Sequence, residues 1–405
     1  MEQGDRLMGH ARRATATLRR RPFSAVAVVG AALLLVLLAH TLATGDFAPL
    51  RLGGVRHVAN NGLATGPQQS QQSQYARLPT PVPGELNPMQ AELDNISGTS
   101  PSDIWVSGLY NSGPFLLHFD GSQWTRAAIP LAQPISGLSM VAPDDGWAIT
   151  GSAILHYTGG AWRIFTMHPP GVAPGSFLAS LSMDAPDDGW ITSSLPSTSN
   201  GPGGSLLLHY SGGQWTPYSG PSVALNSNLF NIDMYAPDDG WAVGNQYATD
   251  AVVGVIAHYQ DGAWTQVGSF HGASLVRVAA AGPNEAWAVG VGGPTSGILV
   301  HCLDGSCQQA DSPTPNILSV VSMRSSQEGW IGGDGAVIFH LQGGNWTQRA
   351  PTYHQVSLTG LLVFSDQDGW AIGQSNGTSL PPGAVMFRCV NGIWQVYQLR
   401  VPWGS

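Results

Sequence analysis

Six of the twelve histidines stand at one recurring position and are the first candidates for metal chemistry. The six are His118, His156, His209, His258, His301 and His340. Arg388 takes the same position in a seventh copy. Imidazole is a common zinc ligand, so a set of this size could suggest a metal site. Each one belongs to a different copy of a repeat, however, and strands in different copies diverge around a ring. We therefore predict that these histidines make buried structural hydrogen bonds between repeats and bind no metal.

Paired aspartates form a second set with possible chemistry. They are Asp144–Asp145, Asp187–Asp188 and Asp238–Asp239. Two neighbouring carboxylates could hydrolyse a glycosidic bond or bind Ca²⁺. A catalytic pair occurs once in an enzyme, whereas these pairs recur in corresponding turns. Hydrogen bonds to the backbone of the turns explain them better, so we predict no catalytic residues here.

Two of the three cysteines give the most specific local signal. Cys302 and Cys307 are five residues apart, where other repeats carry an aromatic residue and Trp, as at Tyr157 and Trp162. An aromatic residue that faces Trp across a hairpin is a favourable cross-strand pair. Two cysteines so placed can reach the Cβ separation of a disulfide. We predict a Cys302–Cys307 disulfide and a buried thiol at Cys389.

The elements that carry these residues belong to a repeat marked by tryptophan. Thirteen of the fourteen Trp fall at two recurring positions. Successive Trp of the first position are 42, 43, 51, 46, 43 and 40 residues apart, and they are Trp105, Trp147, Trp190, Trp241, Trp287, Trp330 and Trp370. Seven units of roughly 44 residues match the length of propeller blades.

Each unit reads as four short antiparallel strands. An Ala-Pro-Asp-Asp-Gly turn, with Gly where a positive φ is expected, joins the first two, and a Gly-Gly turn joins the last two. Such a sheet cannot bury both faces alone, but seven stacked radially can. The 43% apolar and 10% charged composition, with 52 Gly, also favours turn-rich β architecture. The predicted fold class is an all-β, seven-bladed β-propeller, and an open stack of β units is the alternative.

The repeat has a recognisable family character. Trp241-Ala242-Val243-Gly244, a variable loop, an Ile/Leu-His-aromatic strand and Gly-Gly-x-Trp resemble the photosystem II assembly-factor propellers and their bacterial relatives. They also resemble degenerate Asp-box repeats of bacterial neuraminidases, although most copies lack the Thr of the typical Asp-x-Gly-x-Thr-Trp. The resemblance covers about residues 86–403. It implies a β-propeller and, from the assembly factors, action by binding protein, while the motif itself indicates fold more than activity.

The N-terminus predicts the cellular compartment. Residues 1–22 form a basic tail with six Arg, and residues 23–43 are apolar enough for one transmembrane helix that leaves the tail in the cytoplasm. Cleavage as a signal peptide is the alternative. Residues 44–85 read as a flexible Gln/Pro-rich linker, in which 74–79 could add a strand to the propeller of residues 86–405. We expect a single-pass membrane protein with an extracytoplasmic propeller.

Charge and motifs exclude several classes of partner. Residues 1–22 carry +4 of the formal net charge of −9, which leaves −13 on the rest of the chain. An acidic body with scattered Arg does not offer the basic stripe that nucleic acid needs. No Gly-rich phosphate loop, nucleophile elbow or Cys/His zinc spacing is visible, so we predict no cofactor and no metal.

Loop lengths predict where a ligand binds. Turns between strands one and two, and three and four, are nearly uniform, whereas the connections at the opposite face vary widely. Variable loops on a rigid scaffold commonly carry function. The candidate ligand-binding residues at this face are Tyr110, Tyr218, Tyr247, Asp250 and Asn376.

The sequence thus favours a non-catalytic, membrane-anchored scaffold that binds protein or a cell-surface polymer. The alternative is a glycan-processing enzyme of the sialidase or glycanase type. A sialidase needs clustered Arg to hold a carboxylate, and a glycosidase needs two convergent carboxylates. Neither set stands out from the repeat pattern, and the oligomeric state stays undetermined by the sequence.

Overall fold

A computed structural model describes residues 84–195, 204–220, 227–247 and 251–403. The predicted tail, transmembrane helix and nearly all of the linker, including residues 74–79, lie outside the described residues. Twenty-eight strands and two short 3₁₀ helices, Pro88–Gln90 and Asp334–Ala336, make up the described part of the chain. The strands form seven four-stranded sheets, so the predicted seven-bladed propeller is confirmed.

Each blade is a contiguous antiparallel meander of four consecutive strands. The first four blades contain β1 (Ala91–Ser100), β2 (Asp103–Tyr110), β3 (Gly113–Phe119) and β4 (Trp124–Ala127); β5 (Ile135–Ala142), β6 (Asp145–Thr150), β7 (Ile154–Thr158) and β8 (Ala161–Thr166); β9 (Phe177–Ala185), β10 (Asp188–Ser194), β11 (Ser205–Ser211) and β12 (Gln214–Pro217); and β13 (Asn228–Ala236), β14 (Asp239–Tyr247), β15 (Val252–Gln260) and β16 (Ala263–His271).

The last three blades follow the same plan. They contain β17 (Ser274–Gly282), β18 (Glu285–Gly293), β19 (Ser296–Leu303) and β20 (Ser306–Ala310); β21 (Leu318–Ser325), β22 (Glu328–Gly333), β23 (Ile338–Gln342) and β24 (Asn345–Gln348); and β25 (Val356–Ser365), β26 (Asp368–Ser375), β27 (Gly383–Val390) and β28 (Ile393–Tyr397). Because every strand pairs with its neighbours in sequence, no blade borrows a strand from another.

The first strands of neighbouring blades lie side by side around the axis and are joined by serine side chains. Ser97 Oγ accepts a hydrogen bond from Met140 N (2.9 Å), and Ser139 Oγ accepts one from Met183 N (3.2 Å). Ser182 Oγ accepts one from Met234 N at 3.0 Å. These bonds occupy amides on the inner edge of each sheet, which would otherwise be unpaired.

A methionine explains the glycine that precedes the strand-two Trp. Met234 is paired with Gly240, and a Cβ built on Gly240 would lie 2.2 Å from Met234 Sδ. The same Met–Gly pairing occurs in the second, third and sixth blades. Gly240 is not among the residues with positive φ, so the prediction that this turn needs a positive φ is wrong. In the fifth blade Ala280 lies opposite Ala286. The smaller side chain in place of Met is thus matched by a larger one in place of Gly.

Neighbouring blades pack through tryptophan. The strand-two Trp of one blade meets the strand-four Trp of the next edge to face, as for Trp105 and Trp162, with centroids 5.7 Å apart. Edge-to-face aromatic pairs add stabilisation beyond the area that they bury. The same contact closes the ring, since Trp370 of the last blade meets Trp124 of the first at 5.5 Å and 86°.

Chain ends reinforce this closure. The amide of Leu86 donates to the Val401 carbonyl (2.9 Å), and the amide of Trp403 donates to the Gly84 carbonyl (2.7 Å). Thr359 Oγ1 of the last blade also donates to the Leu93 carbonyl of the first, at 2.7 Å. Hydrogen bonds and aromatic packing therefore join the first and last blades without a shared strand.

Candidate functional site

The two faces of the ring differ in the way that the sequence predicts. On one face, which we call the uniform face, every turn between strands one and two has two residues, and six of the seven turns between strands three and four also have two. The second group has positive φ at both turn residues, for example 52° at Asp261 and 76° at Gly262. This is the type I′ geometry that suits two-residue hairpins, and it explains the recurrent Gly-Gly, Asp-Gly and Asn-Gly.

The opposite face, which we call the variable face, consists of connections between strands two and three and between successive blades. Their spans run from two residues, at 294–295, to ten residues, at 167–176. The ring thus presents seven turns of equal length on one side and connections of different lengths on the other. Individual segments can recognise a partner in a way that a repeated turn cannot.

The five predicted ligand-binding residues differ in their surroundings. Tyr110 ends β2 and donates its hydroxyl to Gln90 Oε1 (3.1 Å), while its ring lies 4.8 Å from that of Trp403. Asn376 follows β26 and is exposed. Tyr247 is the last residue of β14, and Asp250 lies outside the described residues. Tyr110 and Asn376 therefore lie at the variable face, as predicted, and their role in binding stays a prediction.

Tyr218 has a structural environment. Its ring packs edge to face on Trp190 (5.3 Å), and its hydroxyl donates to the Gly262 carbonyl (2.9 Å) in a uniform-face turn of the next blade. Phe165 and Tyr397 stand at the same distance after the strand-four Trp and pack on Trp147 and Trp370 in the same way. Tyr218 is thus part of a recurring contact within the blade, a pattern that the sequence analysis missed.

The recurring histidines and aspartates are partners of each other. In the fourth blade His258 Nε2 lies 2.8 Å from Asp239 Oδ1, and the imidazole stacks on Trp241 with centroids 3.9 Å apart. His156 and Asp145 make the same contact at 2.8 Å. The histidines are structural, as predicted, but the prediction that their hydrogen bonds join neighbouring repeats is wrong, because each of these acids lies on strand two of the histidine's own blade. The prediction that the paired aspartates serve turn backbone is incomplete for the second Asp of each pair, because its carboxylate contacts the histidine. Asp239 does both, since its Oδ2 also accepts the Asn284 amide in a turn of the next blade at 2.8 Å.

Related pairs occupy the same place where the sequence varies. His118 contacts Asp103 (2.7 Å), and His301 contacts Glu285 (2.8 Å). Arg388 replaces the histidine in the last blade, donates to Asp368 Oδ2 (3.0 Å) and lies 4.3 Å above the Trp370 ring. A flat cation or imidazole against Trp, oriented by a carboxylate, is the shared requirement of this position.

The predicted disulfide is present. Cys302 and Cys307 are directly opposite in the β19–β20 pair, with Cα atoms 4.0 Å apart, and are bonded to each other. They pack against Trp241 of the preceding blade, at the place where the first four blades have an aromatic residue and Trp. Cys389 is a buried free thiol, also as predicted, and burial raises its pKa to about 11. A thiol with this pKa is protonated and unreactive at neutral pH.

An axial cavity of about 160 Å³ is the site that the sequence did not reveal. The first strands of all seven blades line it, at the ends nearest the variable face. Its polar and charged lining residues are Asp94, Asn95, Ser136, Ser180, Asn231, Arg277 and Thr359. Arg277 stands opposite Val289, where the corresponding residues of the other blades are uncharged. The signal available in the sequence was that Arg277 departs from the repeat at this position of strand one. A single charged residue is easily overlooked among seven copies.

Two charged groups in this cavity have perturbed acidity. Burial, with a smaller contribution from the neighbouring Glu92 charge, raises the pKa of Asp94 to about 7. Burial also lowers the pKa of the Arg277 guanidinium from its usual value. Both shifts follow from the loss of hydration of a charged group inside the ring.

Other kinds of site are not found in the described part of the chain. Those residues contain no group of three or more His, Cys, Asp or Glu side chains arranged to hold a metal ion. Within the same ranges no helix is long and apolar enough to cross a bilayer.

Comparisons with known proteins support the fold. No protein-family model and no curated protein matches the sequence. Among solved structures the chain is similar to YCF48 bound to a D1 peptide (18% identity, 75% of this chain and 93% of the other, TM-score 0.52) and to YCF48 from Cyanidioschyzon merolae (14%, 76% and 98%, TM-score 0.52). It is also similar to catalytically inactive virginiamycin B lyase from Staphylococcus aureus with quinupristin (15%, 71% and 94%, TM-score 0.53). The chain therefore shares a propeller fold with the photosystem II assembly factor YCF48 and with a lyase, and the Asp-box resemblance is not confirmed.

Proposed function

We propose that the chain is a membrane-anchored, extracytoplasmic scaffold that binds a protein or a cell-surface polymer through its variable face and catalyses no reaction. The difference between the two faces carries this proposal. Connections of two to ten residues stand on one side, whereas the other side repeats two-residue turns around the ring. A scaffold that keeps one face constant while the other differs from blade to blade suits recognition of an irregular partner.

The use of the recurring polar residues supports a non-catalytic role. In five blades the recurring histidine is occupied by an acid of the same blade, as in His209 with Asp188 at 3.1 Å. In the sixth blade His340 is buried, and its Nε2 lies 3.9 Å from Glu328 with no hydrogen-bond partner among the described residues. A catalytic base needs free access to a substrate proton. Since these groups recur in blade after blade and stack on Trp, their chemistry supports the fold.

One structural neighbour supports a protein partner. YCF48 is recorded with a bound D1 peptide, so a propeller of this fold can bind a peptide segment. The virginiamycin B lyase has a similar fold and is an enzyme, so fold alone does not choose between the two roles. We therefore base the choice on the faces and on the side-chain pairs.

The anchor and the location of the propeller come from the sequence. Residues 23–43 form an apolar stretch that follows a tail with six Arg. This order predicts a span with the propeller outside the cytoplasm. The disulfide Cys302–Cys307 supports an oxidising compartment, because such bonds are rare where glutathione keeps thiols reduced.

A glycan-processing activity has less support. Retaining and inverting glycosidases both place two carboxyl groups about the scissile bond. Among the described residues Asp94 is the one carboxylate that lines the axial cavity. A sialidase would need several Arg together, and Arg277 is the one arginine in the described part of that lining.

Partner capture with loop variants tests the proposal. Full-length chain is immobilised in detergent and exposed to a membrane and envelope extract of the cells that produce it. In the test variant residues 376–382 of the variable face are replaced by Asn-Gly, and in the matched control Gly343–Gly344 of the uniform face are replaced by Asn-Gly. Both variants must retain the melting temperature and circular dichroism of a folded β protein.

We expect a partner that the parent chain and the uniform-face control recover and that the variable-face variant loses. Equal recovery by both variants would refute the assignment of the variable face. Turnover of any glycan in a panel incubated with the same chain would refute the non-catalytic assignment.

A further inference from the structure

The axial cavity contains Arg277, a cation that makes no ion pair with any described residue, and we propose that the cavity binds a small carboxylate anion through this guanidinium. This site is separate from the variable-face contacts proposed above and does not depend on them. The cavity lies among the first strands of all seven blades, so a ligand there would touch the inside of the ring.

Arg277 has unused hydrogen-bond donors. A guanidinium carries five N–H groups in a planar fork. The structure gives it one hydrogen bond, from Nη1 to the carbonyl of Val276 at 3.2 Å. Among the described residues no carboxylate lies within 4.0 Å of it, since the ion pairs of arginine there are those of Arg324 and Arg388. Four N–H groups inside the ring thus remain for another partner.

Other polar side chains of the lining are occupied by bonds between blades. Ser136 Oγ donates to the Leu178 carbonyl at 2.8 Å, as Thr359 does to that of Leu93. Asn231 Nδ2 donates to Ser180 Oγ (3.1 Å), and its Oδ1 accepts from the Val278 amide (2.9 Å). Asn95 Nδ2 likewise donates to the Ile135 carbonyl. Apart from the Ser180 hydroxyl and one N–H of Asn231, the donors left over among the described lining residues are therefore those of Arg277.

The carboxyl group of Asp94 does not neutralise this cation. It belongs to the first blade, whereas Arg277 belongs to the fifth, and the two make no ion pair. Its pKa of about 7 means that it is partly protonated at neutral pH. The cavity thus keeps a positive end near β17 and a weakly acidic end near β1.

The size and shape of the site define the ligand class. A cavity of about 160 Å³ exceeds the space of one water molecule and is smaller than the roughly 300–1,000 Å³ of pockets for drug-sized ligands. The planar fork of Arg matches a carboxylate in a bidentate arrangement. An anion with a few non-hydrogen atoms, such as acetate or lactate, therefore fits both the charge and the volume.

The corresponding residues of other blades suggest a substitution for Arg277. Asn95 and Asn231 stand at the position of Arg277 in the first and fourth blades, so Arg277→Asn places a residue that the fold already accepts. Asp94→Asn removes the acidic group at the opposite end of the cavity. The two variants change charge in opposite directions, so they separate anion binding from a general effect on stability.

Calorimetric titration of the full-length chain at constant ionic strength tests the proposal, with acetate as the probe and neutral acetamide as its isostere. We expect saturable binding of acetate, none of acetamide, and binding at least about tenfold weaker in Arg277→Asn, as loss of charge-assisted hydrogen bonds predicts. Asp94→Asn should bind acetate at least as tightly as the parent. Absence of saturable acetate binding, equal affinity in Arg277→Asn, or tighter binding of inorganic phosphate than of acetate would overturn the assignment.

Discussion

Single residues in this protein owe their positions to pairing with a neighbour. A histidine between strand-two Trp and a carboxylate is the recurring example, and in the fourth blade it is deeply buried, with His258 only 4% exposed. An imidazole that stacks on Trp and binds an acid is satisfied without a metal. Residue types that suggest chemistry in the sequence are thus used for structure, and the unusual charges lie elsewhere.

Asp233 is one of these unusual charges, and it provides a test at the residue scale. It stands where the first three blades have Ser97, Ser139 and Ser182, and its Oδ2 accepts the Ala280 amide of the next blade at 2.8 Å. Burial raises its pKa to about 7. Between its ordinary value near 4 and this value the folded state binds more protons than the unfolded state, so this group lowers stability as pH rises.

We predict that Asp233→Ser keeps the hydrogen bond and removes this pH dependence. The variant should differ little from the parent chain at pH 4 and gain up to about 4 kcal/mol at pH 8, because it no longer carries a poorly hydrated carboxylate. Thermal unfolding from pH 4 to pH 8 measures the difference. A constant difference across that range, or a loss at pH 8, would show that the Asp233 charge is well tolerated in the ring.

At the scale of strands and turns, the sequence predicted most of what the structure shows. Turn residues mark the ends of the strands, and the spacing of Trp gives the number of repeats. The seven meanders could therefore be predicted from the sequence. The pairing of Met234 with Gly240 could not, because the bulky partner lies on a different strand and the repeat is read one strand at a time. The Asp–His pairs were missed for the same reason.

The Met–Gly pair gives a test of packing within a blade. Gly240→Ala would place a Cβ 2.2 Å from Met234 Sδ and should lower stability by about 1–3 kcal/mol. Adding Met234→Ala reproduces the Ala280–Ala286 pair of the fifth blade and should recover part of that loss. Denaturant unfolding of both single variants and the double variant gives the coupling energy. Purely additive effects would contradict a direct steric conflict between the two side chains.

The cysteine hairpin tests the interface between the fourth and fifth blades. Cys302→Ala with Cys307→Ala should cost about 2 kcal/mol, since the closed loop is short. Cys302→Tyr with Cys307→Trp restores the residues of other blades and should be more stable than the Ala pair, because Trp241 regains aromatic neighbours. Melting temperatures with and without dithiothreitol measure this, and only the parent should respond to the reductant. If the Tyr/Trp variant were the least stable, this interface would require the compact disulfide.

The whole molecule is a ring closed by the same contacts that join its other blades. Trp370 and Trp124 meet across the first and last blades as Trp147 and Trp215 do between the second and third, at 5.5 and 5.7 Å. The sequence predicted the number of blades and the two faces. It did not predict the axial cavity or its charges, because Asp94 and Arg277 approach a common space only once the ring has closed.

The proposal that the propeller binds its partner through the variable face concerns the entire ring. Hydrogen–deuterium exchange of the full-length chain, with and without its captured partner, tests that claim most directly. The account predicts that the partner slows exchange in variable-face connections, including residues 128–134 and 376–382, and leaves the two-residue turns of the uniform face unchanged. Protection confined to those turns, or to the outer strands β4, β8 and β12, would contradict it.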